Sequence, residues 1–143
     1  SAAISAVEKI KKHGSRIITL LGAEGGGRDK RKRSAMGEVV GLRADFVVVS
    51  NVDPYSDNPK QIIEEIVFAA ESVAGARKVR GENLFAIEDR REGIYKALSL
   101  AREGDIILIT GKGAEQSMII DNKKIPWDDR DVVREELKKL RDI

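Results

Sequence analysis

The sequence predicts an α/β fold: a mainly parallel β-sheet with helices on both faces and an antiparallel hairpin at its edge near the C-terminus. Three observations carry this reading. Four short apolar runs lack polar alternation, which suits strands buried on both faces. Helical stretches with start and stop signals lie between them. Late in the chain, two strand-like segments flank Asp121-Asn122 and read as a hairpin. Strand and helix alternating in this way make one domain of a layered α/β protein.

The elements follow in order. Ile4, Val7 and Ile10 line one face of an opening helix that stops near His13-Gly14. The apolar runs are Arg16 to Gly22, Phe46 to Ser50, Leu84 to Ile87 and Ile106 to Thr110. Asn58-Pro59 supplies an N-cap with proline at the first helical position, and Gln61 sits where a capping-box partner belongs. From there Ile62, Ile63, Ile66, Val67 and Val73 repeat at threes and fours until Gly75. Asp89 and Glu92 form a second capping pair, followed by a stripe of Ile94, Leu98 and Ala101 ended by Gly104. The last helix starts after Asp128-Asp129 and is expected to bury Val133, Leu137 and Leu140.

Composition narrows the function. The chain has 143 residues, 41% apolar and 35% charged, with 26 basic against 24 acidic residues and a net charge of +2. That length fits one domain with a real core, residues 1–143. There is no cysteine, so neither a disulfide nor a thiolate nucleophile is available, and His13 is the single histidine. A zinc site or a histidine-based triad is close to excluded; no metal ligands and no catalytic residues are assigned. No run approaches the ~20 apolar residues of a membrane span and no signal-peptide pattern is seen, so the cytoplasm is the expected location. The chain starts at Ser1 directly in a helical pattern and reads as a piece of a longer protein.

Ligands of such sheets sit beyond the carboxyl ends of the strands. Three loops there have unusual chemistry: "GAEGGGRDKRKR" after the first run, "NVDPYSDNP" after the second, and "GKGAEQ" after "IILIT". Each also has an ordinary reading, as a tight turn, a solvated basic face or helix-capping chemistry. Five of the six residues from Arg28 to Arg33 are basic, yet the near-neutral total weighs against a dedicated nucleic-acid binder. Gly111-Lys112-Gly113 does not complete a G-x-x-x-x-G-K-[ST] phosphate loop, and Gly25-Gly26-Gly27 does not fit G-x-G-x-x-G.

Together, "GGGRDKRKRSAMGE", "NVDPYSDNPKQI", "DIILITGKGAEQ" and "KIPWDDRDVVREEL" fall in an order and spacing that resembles the C-terminal domain of the Mur ligases. Within that family the pattern is most similar to the ligases that add the third residue of the peptidoglycan stem peptide. The resemblance covers nearly the whole chain and implies a Rossmann-like domain of a three-domain cytoplasmic enzyme of cell-wall biogenesis. The N-terminal UDP-sugar domain and the central ATPase domain would be absent from this chain. It further implies ATP and Mg2+ as cofactors of the full-length enzyme, none held by this piece alone. The partners would be an amino-acid substrate, UDP-muramoyl dipeptide and ATP, with no nucleic acid and no membrane.

Carried onto this sequence, the resemblance gives Arg28 a contact with the incoming amino acid. Lys30, Lys32, Arg33 and Lys112 would stand near the nucleotide. Gly111 and Glu115 would grip the far end or the ammonium of the substrate side chain. A carboxylate wants the planar, always-charged arginine, and an ammonium wants an acid. Gly27 replaces a frequent aspartate, Ser34 a proline and Ala114 a histidine. Relatives that add meso-diaminopimelate carry Asp-Asn-Pro-Arg, where this chain reads Val52-Asp53-Pro54-Tyr55. Asp53, Pro54 and Tyr55 are therefore substrate-binding candidates, but Tyr55 offers one hydroxyl in place of a bidentate cation. Diaminopimelate, lysine and similar diamino acids all remain open. So do a cyanophycin- or folylpolyglutamate-synthetase-type ligase domain and a non-enzymatic polyanion-binding module.

Overall fold

A computed structural model describes residues 2–26, 31–112 and 114–142. Its elements are α1 (Ala2–Ile10), β1 (Ile17–Leu21), α2 (Arg31–Arg43), β2 (Phe46–Val49), α3 (Pro59–Ser72), β3 (Leu84–Ala86), α4 (Arg90–Leu100), β4 (Ile106–Ile109), β5 (Ser117–Ile120), β6 (Lys123–Pro126) and α5 (Asp129–Arg141). The four apolar runs form one parallel sheet in the order β3-β2-β1-β4. All five residues of β1 are buried, whereas those of β4, at the edge, are only half-buried.

Alternate strand residues feed two cores, one on each face. Ile17, Leu21, Val47 and Val49 pack with α1, α2 and α3 through Ile4, Val40, Ile62 and Ile66. Ile18, Leu20 and Val48 pack with α4 and α5 through Ile94, Ala97 and Val132. Burying a side chain of this size is worth ~1.5–3 kcal/mol, so these two layers hold the fold together.

The hairpin forms where the sequence places it, with Asp121 and Asn122 both at positive φ, as a type I′ reversal requires. It does not extend the main sheet. β5 and β6 make a separate two-stranded sheet, which meets the body at an isolated β-bridge between Tyr55 and Ile120. β5 follows the Lys112–Glu115 turn and pairs instead with the loop after β2, where the Tyr55 N–H donates to the Ile119 carbonyl oxygen.

Four further expectations are corrected. Residues from Arg31 onward are helical where a loop was read. The interface of α2 relies on small residues that a search for large apolar spacings overlooks. A Cβ on Gly37 would come within 2.3 Å of the Ile66 carbonyl oxygen, so only glycine allows α2 this close to α3. Ile10, at the last turn of α1, is 73% exposed, and the buried residues of that helix are Ile4 and Val7. The Asn58 cap accepts from the Lys60 N–H, and the Gln61 N–H goes to the Asn58 carbonyl. On α5 the buried stripe is Asp129, Val132 and Glu136; Val133, Leu137 and Leu140 are half-buried.

The amino ends of the strands are tied by Arg16, whose guanidinium meets Asp105 and the Leu100 carbonyl oxygen. This guanidinium first, then the Arg102 N–H, hold the Asp105 carboxyl well below the usual carboxylate range. A carboxyl depressed in the folded state stabilises above its unfolded value and loses that contribution as pH falls. Asp105→Asn is therefore expected to lower the melting temperature at neutral pH. The gap to wild type should begin to narrow below about pH 4 and keep narrowing as pH falls towards the depressed folded value, as read by thermal melts across a pH series.

Candidate functional site

The chain runs β1, β2, β3 outward on one side and returns to place β4 on the other side of β1. The carboxyl ends of β1 and β4 are therefore the switch point, where the two connections part and leave a crevice. Two adjoining hollows occupy it. One, of about 440 Å³, is lined mainly by apolar groups including Met36, Val39 and Leu108. The other, of about 310 Å³, is the more polar of the two and is lined by Glu24, Lys32, Arg33, Val52 and Gly111 among others.

Beside the polar hollow the three loops are bound to one another. The Gly25 N–H donates to the Asp53 carbonyl oxygen at 2.9 Å, and the Gly26 N–H donates to Asp57 Oδ2 at 3.1 Å. A Cβ on Gly25 would lie 2.2 Å from the Pro54 carbonyl oxygen, so the glycine run is needed for this close approach. Lys112 Nζ donates to both oxygens of Asp53 at 2.8 and 2.9 Å, and to Glu115 Oε2 at 3.0 Å. The Ile119 N–H adds a third donor to the Asp53 carboxylate. Burial works against the Lys112 charge, but the carboxylates of Asp53 and Glu115 outweigh it, and its pKa is raised.

Tyr55 holds φ 56, unusual for a residue with a side chain, and its backbone is fixed there from both sides. Its N–H donates to the Ile119 carbonyl oxygen, and its carbonyl accepts from the Asn122 N–H. The ring lies against Gly26, where a Cβ would meet Tyr55 Cδ2 at 3.2 Å. Tyr55 thus stands between the glycine loop and the hairpin.

The other candidates are placed as follows. Asp53, Tyr55, Lys112 and Glu115 are brought together, with Gly111 at the neighbouring cavity wall. Pro54 is buried, and its carbonyl oxygen lies against Gly25 and accepts from the Asp57 N–H. Lys32 is exposed in the first turn of α2 and faces the polar hollow. Arg33 lines the same hollow but is 3% exposed and is held by Glu65 at 2.7 Å and Asp57 at 3.7 Å. Arg33, read as a loop residue near the nucleotide, sits instead in α2 and is paired with Glu65 of α3. Lys112 is also paired, so its ammonium does not stand free for a phosphate. Arg28 and Lys30 lie outside the described residues. No cluster of three potential metal-ligating side chains occurs among the described residues, and no metal site is built from them.

One group escaped the sequence reading. Arg90, at the start of α4, is fully buried and forms a bidentate pair with Asp129 at 2.9 and 2.7 Å. Two further donors reach the carbonyl oxygens of Asn51 and Thr110, the exits of β2 and β4. Trp127 Nε1 donates to Asp129 as well. Asp128 caps α5 through the Arg130 N–H, so of the adjacent acids in "IPWDDR" one caps and the next neutralises Arg90. The motif was visible, but its partner 39 positions away was not.

This fold and this loop cluster define a layered α/β domain whose candidate site lies at the carboxyl ends of a parallel sheet, and comparison with known proteins gives the family. Residues 1–113 match the family model described as Mur ligase, glutamate ligase domain. The chain belongs to that family. It is 40% identical over 133 residues to the UDP-N-acetylmuramoyl-L-alanyl-D-glutamate–2,6-diaminopimelate ligase of Nitrosomonas europaea, covering 93% of this chain and 24% of that protein. Identity to the ligase of the same name from Caldanaerobacter subterraneus is 44% over 130 residues, 90% of this chain and 25% of the relative. A UDP-N-acetylmuramyl-tripeptide synthetase of Treponema denticola is 39% identical over 128 residues, 89% of this chain and 23% of the relative. A solved 2,6-diaminopimelate ligase structure superposes with a TM-score of 0.77 at 25% identity, covering 98% of this chain and 27% of the other. The chain spans about a quarter of the length of these relatives.

Proposed function

We propose that this chain is the amino-acid-receiving domain of an ATP-dependent ligase. That ligase would join a diamino acid to UDP-N-acetylmuramoyl-L-alanyl-D-glutamate in peptidoglycan synthesis. The observation that carries the reading is the joining of all three strand-end loops at one place, through Gly25, Asp53, Lys112 and Glu115, in a chain of the Mur ligase family.

ATP, when bound, would activate the acceptor carboxylate of the muramoyl peptide. This domain's own residues bind and orient the incoming amine. Arg28 would hold the amino acid's carboxylate, Glu115 would meet a cationic group on the substrate, and the exposed Lys32 would face the nucleotide's phosphates. The Asp53–Lys112 pair and the hairpin keep Tyr55 and Glu115 in place. Mg2+ would serve with ATP in the intact enzyme.

Two outcomes test this in the intact ligase that carries the domain. Arg28→Ala is expected to raise the KM for the amino acid far more than that for ATP; equal changes in both would reject Arg28 as the carboxylate partner. Tyr55→Arg is expected to shift preference towards meso-diaminopimelate over lysine. It restores a bidentate partner for the distal carboxylate, worth roughly 2–5 kcal/mol in a desolvated site. An unchanged ratio of kcat/KM for the two amino acids would show that Tyr55 does not face the substrate side chain.

A further inference from the structure

Resting on that reading of the site, we propose that Lys112 is a positioning residue, acting on the incoming amino acid only through Glu115. The inference follows from counting donors and acceptors. An ammonium has three protons. Those of Lys112 have three acceptor oxygens around them: Asp53 Oδ1, Asp53 Oδ2 and Glu115 Oε2. The side chain is 1% exposed, so no donor remains for a phosphate or a substrate carboxylate.

Asp53 is closed in the same way. Its Oδ1 accepts from Lys112 and from the Ile119 N–H, its Oδ2 accepts from Lys112, and only 7% of the side chain is exposed. It ties the hairpin to the body and meets no ligand. Glu115 differs: its side chain is 57% exposed, and Oε1 makes no hydrogen bond among the described residues. Two carboxylates and one ammonium leave a net charge of −1, and the geometry presents that charge at Glu115 Oε1. The lysine thereby cancels Asp53, restrains the Glu115 rotamer from one side, and leaves one acceptor for a cationic group of the amino acid. Holding a flexible glutamate in advance lowers the ordering cost of binding.

The test is steady-state kinetics of the intact ligase with lysine as the amino acid. Glu115→Gln and Lys112→Met should each raise the KM for lysine about tenfold and leave the KM for ATP unchanged. The double variant should be no worse than the more affected single, because both remove one interaction. Asp53→Asn combined with Lys112→Met avoids stranding a buried carboxylate, and should show the same loss for lysine with a melting temperature near wild type. A rise in the KM for ATP in Lys112→Met would overturn the proposal, because it would place the ammonium on the nucleotide. Multiplicative effects in the double variant, or a wild-type KM for lysine in Asp53→Asn/Lys112→Met, would also overturn it and leave the site reading standing. If Glu115→Gln alone leaves the KM for lysine unchanged, the site reading itself fails, and the proposal with it.

Discussion

Asp129→Ala is expected to destabilise the domain by ~3–5 kcal/mol, the usual cost of removing one partner from a buried ion pair. Arg90 would keep its bonds to the Asn51 and Thr110 carbonyl oxygens, but its charge would lie uncompensated where the side chain has no access to water. For a chain of this size that loss lowers the melting temperature by more than ~10 °C. Differential scanning calorimetry reads the shift directly. Replacing both partners with apolar residues, as in Arg90→Met/Asp129→Leu, should recover much of the loss, because the main penalty is the stranded charge. If Asp129→Ala melts within a few degrees of wild type, water reaches Arg90 and the node is not what fixes the strand exits.

The second large effect concerns catalysis. The chain alone, given ATP, lysine and the UDP-muramoyl dipeptide, is expected to form no amide bond above the uncatalysed background. Its glycine loops do not complete a phosphate-loop motif, and on the proposed reading it supplies only the wall that receives the amine. Placing reactants in register can contribute ~7–11 kcal/mol of barrier reduction, so a detached wall should keep almost none of the rate. Mass spectrometry of the nucleotide-peptide pool measures this, and appreciable tripeptide formation would reject the division of labour. Binding of lysine to the isolated chain, measured by calorimetry, should also be weak, because on the proposed reading the remaining walls of the site belong to the rest of the ligase.

The sheet could be read from the chain because apolar runs without alternation require burial on both faces, as the fully buried β1 shows. Helices α3 and α4 announced themselves through Asn58 and Asp89, both of which cap as expected of their residue types. Helix α2 did not, since Gly37 and the small side chains it meets on α3 carry no periodic apolar signal. The loop cluster was legible as a set of three loops, whereas its internal pairing was not. Local sequence shows Lys112 beside two glycines but not the Asp53 carboxylate 59 positions earlier that absorbs its charge. The same limit hid Arg90 and Asp129, ordinary charged residues until the fold buries them against each other.

The detached hairpin has a consequence for how this protein meets other chains. A two-stranded sheet standing outside the main one leaves β6 with a free row of backbone donors and acceptors, a template on which a strand from another molecule could add. All four β6 residues are exposed, and they read Lys123, Lys124, Ile125, Pro126. Two like charges would meet any second copy laid alongside, and proline removes one of the donors that a continuing ladder needs. Ile125, 37% exposed, is the one apolar residue in that row. This exposed edge strand is thus written in residues that discourage intermolecular pairing.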